Sequence, residues 1–95
     1  MITVDFHDLK LKPGFVVLDA GCGSGRHLRA LAKLPGLKIV GVDRNQKDVD
    51  EAVKALKEMP DALSTDCSVM CADITRLPFP ADYFDCVICL FLSLS

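Results

Sequence analysis

No run of like charges in this chain of 95 residues exceeds two, and 11 Lys plus Arg nearly balance 13 Asp plus Glu at a net charge of -2. Such a chain has no electrostatic footprint for a nucleic-acid backbone or an anionic membrane. Long apolar stretches are also missing: the longest, Cys86 to Leu92, falls far short of the roughly 20 residues that a membrane-spanning helix needs. Residues 1–14 scatter Asp5, His7, Asp8, Lys10 and Lys12 among single apolar residues and lack the unbroken apolar core of a secretory signal. Aromatics are scarce at 6%, yet hydrophobic residues reach 51% and charged residues 25%. That balance describes one compact soluble domain and excludes a disordered, collagen-like or multidomain chain. A domain this short buries about 60 to 65% of its unfolded surface, so its stability is expected to be thin. The expected partner is a small molecule or another protein.

Cysteine, by contrast, is abundant, with five residues, but the number is odd and three of them lie in strand-like apolar runs. Free thiols in a reducing cytoplasm fit better than a disulfide framework. Cys86 and Cys89 sit three apart on an expected strand, hence on opposite faces, and cannot share a metal ion. Cys67 and Cys71 share a face at about 13 Å, beyond the reach of a bond or a chelate.

The hydrophobic pattern alternates between strand and helix. Phe15 to Asp19 reads as a buried strand after the turn pair Pro13-Gly14, and Arg26 to Leu34 reads as a helix with Leu28, Leu31 and Ala32 on one face. A second strand, Lys38 to Val42, closes on Asp43. Asn45 is an expected N-cap for a helix whose apolar stripe is Val49, Ala52, Val53 and Leu56, ended by Met59-Pro60. A third strand lies within Ser64 to Cys71, clearest from Ser68, and a fourth, Tyr83 to Phe91, follows a loop rich in breakers. Strand and helix alternating in this way predict an α/β fold on a parallel sheet with right-handed crossovers.

Chemistry concentrates in Asp19-Ala20-Gly21-Cys22-Gly23-Ser24-Gly25, between the first strand and the first helix. Glycines there let the backbone turn sharply and let a ligand approach, and the helix start favours an anionic group. Asp43, at the end of the next strand, offers two acceptor oxygens that match a ribose diol. A nucleoside follows from that pair. The dinucleotide fingerprint wants a glycine at its sixth position, but counting from Gly21 that position is Arg26, and from Gly23 it is Leu28. The failed spacing weighs against an NAD-binding module. The loop instead suits an amino-acid moiety, its carboxylate at the helix start and its ammonium answered by Asp19.

Leu18-Asp19-Ala20-Gly21-Cys22-Gly23-Ser24-Gly25 resembles the first motif of the class I S-adenosylmethionine-dependent methyltransferases, with Asp43 in the place of their ribose-binding acid. Cys71-Ala72-Asp73-Ile74 is similar to the family's segment after the third strand, where an Asp meets the adenine amino group and the next backbone N–H meets the ring. Leu77-Pro78-Phe79, followed by Phe84-Asp85-Cys86-Val87-Ile88, resembles the approach to the fourth strand in the small-molecule and quinone-type branch. The resemblance runs from Phe15 to Phe91. It implies a Rossmann-like three-layer α/β/α domain of sheet order 3-2-1-4 with helices on both faces, the first part of a seven-stranded methyltransferase domain. On this reading residues 1–95 form one incomplete domain, with residues 1–14 leading into a cofactor-binding core at 15–91.

The implied cofactor is S-adenosylmethionine, the product S-adenosylhomocysteine, and the partner a small-molecule methyl acceptor. The implied cofactor-binding set is Asp19, Ala20, Gly21, Cys22, Gly23, Gly25, His27, Asp43, Arg44, Asp73, Ile74, Cys89 and Leu90, with no metal and no catalytic residue. Several members keep plainer alternatives. Cys22 is either a thiol activated by the helix end or a small filler. His27 either touches the cofactor or faces solvent, and Arg44 either covers the adenine or is a solvated charge. Asp82 reads as a turn residue and Asp85 as a cap on nearby backbone. The uncovered fourth strand predicts self-association, and the early end of the sequence leaves open a fragment that binds cofactor without catalysing transfer.

Overall fold

A computed structural model of the chain describes residues 11–64, 66–80 and 82–89. The elements run β1 (Val16–Ala20), α1 (Arg26–Ala32), β2 (Lys38–Asp43), α2 (Gln46–Lys57), β3 (Asp66–Cys71) and β4 (Cys86–Cys89), with a 3-10 turn at Ile74–Arg76 before β4. All four strands are parallel and lie in the order β3-β2-β1-β4. This is the expected topology, and its handedness has a spatial consequence. The chain steps from β1 to β2 to β3 in one direction, then crosses back to place β4 on the far side of β1. Right-handed crossovers therefore send α1 and α2 to one face and the return connection to the other.

The two core clusters match this division. Val17, Ile39 and Ile88 point to the helix side, where they pack with Leu28, Leu31 and Ala32 of α1 and Ala52 of α2. Their strand neighbours Leu18, Val40 and Val42 point the other way and meet Ile74, Leu77, Phe79 and Phe84. Among the described residues both α-helices thus lie on one face. The opposite layer is built from the 3-10 turn and an aromatic cluster, in which Phe79 stacks on Tyr83 at 5.0 Å and both meet the edge of Phe84. α1 docks closely on β2 because Gly41 has no side chain: a Cβ there would fall 2.6 Å from Leu28 Cδ1.

Several boundaries differ from the sequence expectation. β1 begins at Val16, because the Phe15 N–H closes a turn on the Lys12 carbonyl at 3.1 Å. α1 ends at Ala32 rather than Leu34: the N–H groups of Leu63 and Ser64 take the Ala32 carbonyl at 2.8 and 3.0 Å. The buried Ser64 hydroxyl also donates to the Leu34 carbonyl and accepts from the Leu37 N–H at 2.9 Å. β3 extends back to Asp66, while β4 starts at Cys86 rather than Tyr83. Asp85 causes the late start by exchanging bonds with Val16: its Oδ2 accepts the Val16 N–H at 2.7 Å and its N–H donates to the Val16 carbonyl at 2.8 Å. That is the capping role expected of it, and it leaves Tyr83 and Phe84 to pack as a cluster. α2 follows the expectation, with the Asn45 Oδ1 accepting the N–H groups of Lys47 and Asp48 at 3.0 and 3.2 Å. Leu90 and Phe91, expected to end the fourth strand, lie outside the described residues.

Candidate functional site

The carboxyl ends of β1 and β2 meet at one corner of the sheet, where Asp19 pairs with Gly41 and Ala20 with Val42. Beyond β1 the chain turns over the end of β2: the N–H groups of Gly21 and Cys22 both donate to the Val42 carbonyl, at 2.8 and 2.9 Å. Gly21, Gly23 and Gly25 have φ of 73°, 55° and 96°, a region that other residues seldom adopt. Gly25 is further fixed by packing, since a Cβ would sit 3.0 Å from Ala52 Cβ. At Gly21 and Gly23 an added Cβ would meet nothing within 4 Å among the described residues, which leaves their outer side open there.

Asp43 holds this loop. Its Oδ2 accepts the Gly23 N–H at 2.9 Å and its Oδ1 accepts the Asn45 N–H at 2.9 Å. One carboxylate thereby ties the glycine turn to the start of α2, a contact that the sequence reading missed. Each carboxylate oxygen carries more than one lone pair, so acceptor capacity remains for a diol. Beside it Gly21, Val42, Asp43, Arg44, Ala72 and Ile74 line a cleft of about 180 Å³. Val42 and Ala72 were absent from the sequence-derived set; their only signal was position, one residue from Asp43 and Asp73.

Asp19 is different in kind. It is 1% exposed, and its Oδ2 is buried without a hydrogen-bond partner among the described residues. Burial, and then the nearby charge of Asp43, pushes its carboxyl up to about 7. An orphaned buried carboxyl oxygen is costly in a native protein and calls for an explanation. A cationic ammonium from a ligand would supply the missing donor. Cys22, beside it, is buried and its thiol is pushed up to about 12, first by burial and then by the charges of Asp19 and Asp43. Burial and the two neighbouring acids thus work against an activated thiol at Cys22 and favour the plainer alternative. It packs as a filler in the core under α1.

The remaining expected residues fall as follows. Ala20 is buried on the opposite face, and Cys89 pairs with it across the β1–β4 ladder. His27 lies in the first turn of α1, half-buried, and is held below its ordinary value by burial and by Arg26. Arg44 is exposed on the cleft wall, with its carbonyl 3.4 Å from Cys71 Sγ. Ile74 and Ala72 line the cleft, but Asp73 between them caps the 3-10 turn. Its Oδ1 accepts the Thr75 hydroxyl at 2.7 Å and the Thr75 N–H at 2.9 Å, which hold it below the usual carboxylate range. Leu90 lies outside the described residues, and among these no group of His, Cys, Asp and Glu is arranged to hold a metal.

The sequence profile of the methyltransferase domain family matches residues 17–95. A sterol 24-C-methyltransferase of Gibberella zeae is 37% identical over 82 residues, which are 85% of this chain and 21% of that enzyme. A 24-methylenesterol C-methyltransferase of Arabidopsis thaliana is 35% identical over 77 residues, 81% of this chain and 21% of the enzyme. The chain thus spans about a fifth of the length of these curated relatives. A solved SAM-dependent methyltransferase from Aquifex aeolicus superposes with a TM-score of 0.71 at 25% identity, covering 83% of this chain and 42% of that one. No described helix is long and apolar enough to cross a membrane. With four-fifths of its residues matched by the profile and its sheet in the same order as the fold requires, the chain belongs to the methyltransferase domain family.

Proposed function

We propose that this chain forms the cofactor-binding part of an S-adenosylmethionine-dependent methyltransferase acting on a small-molecule acceptor. The observation that carries the reading is the pair of carboxylates on either side of the open glycine corner, Asp43 braced on two backbone N–H groups and Asp19 with an orphaned buried oxygen. The residues present fit the cofactor. Asp43 would hold the ribose hydroxyls, the outer side of Gly21 and Gly23 would receive the methionine end, and Asp19 would take its ammonium. Val42, Arg44, Ala72 and Ile74 would enclose the adenine. Asp73, with Oδ1 engaged by Thr75, has its other oxygen for the adenine amino group, and Cys22, Gly25 and His27 shape the turn from behind.

When bound, S-adenosylmethionine supplies a methyl group on a sulfonium leaving group. Transfer then needs in-line alignment with the acceptor, and alignment alone contributes several kcal/mol, on the order of 7 or more in favourable cases. No residue of this chain is assigned as nucleophile or base; its work is to bind and orient. The sterol enzymes among the relatives support a small, apolar acceptor, and the free thiols Cys22, Cys67, Cys71 and Cys86 fit a reducing cytoplasm. Self-association through the outer edge of β4 is part of the same reading, and light scattering that finds only monomers at high concentration would contradict it.

Calorimetric titration of the chain with S-adenosylhomocysteine, with NAD as the control ligand, tests the assignment. Selective binding of S-adenosylhomocysteine is expected. Equal or preferred binding of NAD by the folded chain would overturn it.

A further inference from the structure

Between Asp19 and Asp43 the chain carries four cations, Arg26, Arg29, Lys33 and Lys38, and no acid, although its net charge is -2. Lys38 lies over the Tyr83 ring, 5.4 Å from its centroid. The other three belong to α1 and its cap, at spacings of three and four residues that set them on one stripe opposite the buried Leu28, Leu31 and Ala32. All three are exposed. With Ala30, Met59 and Asp61 they line a cleft of about 300 Å³ that shares no lining residue with the cleft beside Asp43. Lys33 has a counter-ion there, Asp61 Oδ2 at 3.7 Å, but both side chains are more than half exposed, so the pair contributes little. Arg26 and Arg29 have no ion pair among the described residues. The helix dipole favours Arg29 and Lys33, at the negative end of α1, but works against Arg26, the first residue of the helix. The first turn holds no acid to offset it. A cation set against the dipole without a partner inside the chain is a small cost to stability that an outside anion would remove.

We infer that this face of α1 is a docking surface for an acidic segment of a protein partner, whose carboxylates meet Arg26 and Arg29 while an apolar side chain enters beside Ala30 and Met59. The inference is independent of the cofactor reading, because none of these residues is assigned to the cofactor. The amount of charge decides the class of partner. Three cations and one acid leave the cleft two net positive charges, whereas stable attachment to an anionic membrane takes clusters of about four to eight cations. A continuous polyanion laid along the stripe would also meet the Asp61 carboxylate as a like charge. Spaced carboxylates avoid it. At a rise of about 1.5 Å per residue the two arginines stand about 4.5 Å apart along the helix, close to the separation of acids one helical turn apart on a partner.

The test is fluorescence anisotropy of a labelled peptide, in which Glu recurs every third or fourth residue around a single Leu, titrated with the whole chain. Saturable binding is expected, weakened by about tenfold when Arg26→Gln and Arg29→Gln are combined and tightened by about twofold in Asp61→Asn, which frees Lys33. Combining Lys47→Gln with Lys54→Gln removes as much charge from the exposed side of α2 and should leave the affinity within about twofold. Should the α1 double variant fail to fold, the sign of the Asp61→Asn effect decides. No saturable binding below about 1 mM, an undiminished affinity in the folded α1 variant, weaker binding in Asp61→Asn, or an equal loss in the α2 variant would overturn the inference. Attachment of the chain to phosphatidylserine vesicles, lost in the α1 variant, would assign the face to a membrane and overturn it as well.

Discussion

Two strand ends in this molecule carry an Asp, and they are built on opposite principles. The end of β2 presents Asp43 half-buried, with each oxygen accepting a backbone N–H, so its carboxylate is part of what shapes the glycine turn. The end of β1 buries Asp19, leaves its Oδ2 without a donor and sets it beside another acid. One carboxylate stabilises the fold; the other costs stability. The difference teaches that two acids of similar appearance in sequence can fold into opposite surroundings, one paired with backbone donors and one buried without them, and that hydrogen-bond accounting separates them where residue type cannot.

The contrast predicts stability changes of opposite sign. Asp19→Asn should have the largest effect. The unfolded chain sheds the Asp19 proton near 3.8 and the native chain near about 7, so between these values the native state binds more protons and stability falls as pH rises. At about 1.4 kcal/mol per pH unit of displacement, removing the ionisable group should stabilise the chain at pH 8 by up to about 4 kcal/mol, with little gain at pH 4. Urea unfolding at the two pH values reads this directly, and a destabilised variant at pH 8 would break the comparison. Asp43→Ala should lower stability by about 1 to 2 kcal/mol at pH 8, since it takes the acceptor from the part-buried Gly23 N–H and leaves the exposed Asn45 N–H to water. Asn45→Ala sharpens the boundary between scaffold and ligand site: it removes only the cap of α2 and should cost about 1 kcal/mol without changing ligand affinity.

Much of this was legible in the amino-acid order because local rules and topology agreed. The glycine turn, the acids near the ends of β1 and β2 and the cap at Asn45 each follow from one residue type at one place, and right-handed crossovers leave little freedom in strand order. The start of β4 was misread because an apolar run from Tyr83 looks like strand, whereas the bonds between Asp85 and Val16 are long-range and carry no local signal. The end of α1 was misread for the same reason, since the groups that close it come from Leu63 and Ser64. In the site, the identity of Asp19 and Asp43 was visible but their division of labour was not. That depends on which oxygens find donors after folding, and on the burial that turns a loop thiol such as Cys22 into core.

The most direct measurement is binding of S-adenosylhomocysteine and of 5′-methylthioadenosine, the same nucleoside without the amino-acid end, to the unmodified chain, Asp43→Ala and Asp19→Asn at pH 8. If Asp43 holds the nucleoside and Asp19 the ammonium, Asp43→Ala weakens both ligands by about tenfold or more. Asp19→Asn then weakens only S-adenosylhomocysteine by about that factor and leaves 5′-methylthioadenosine within about twofold. Equal losses of both ligands in Asp19→Asn, or an undiminished nucleoside affinity in Asp43→Ala, would contradict the account.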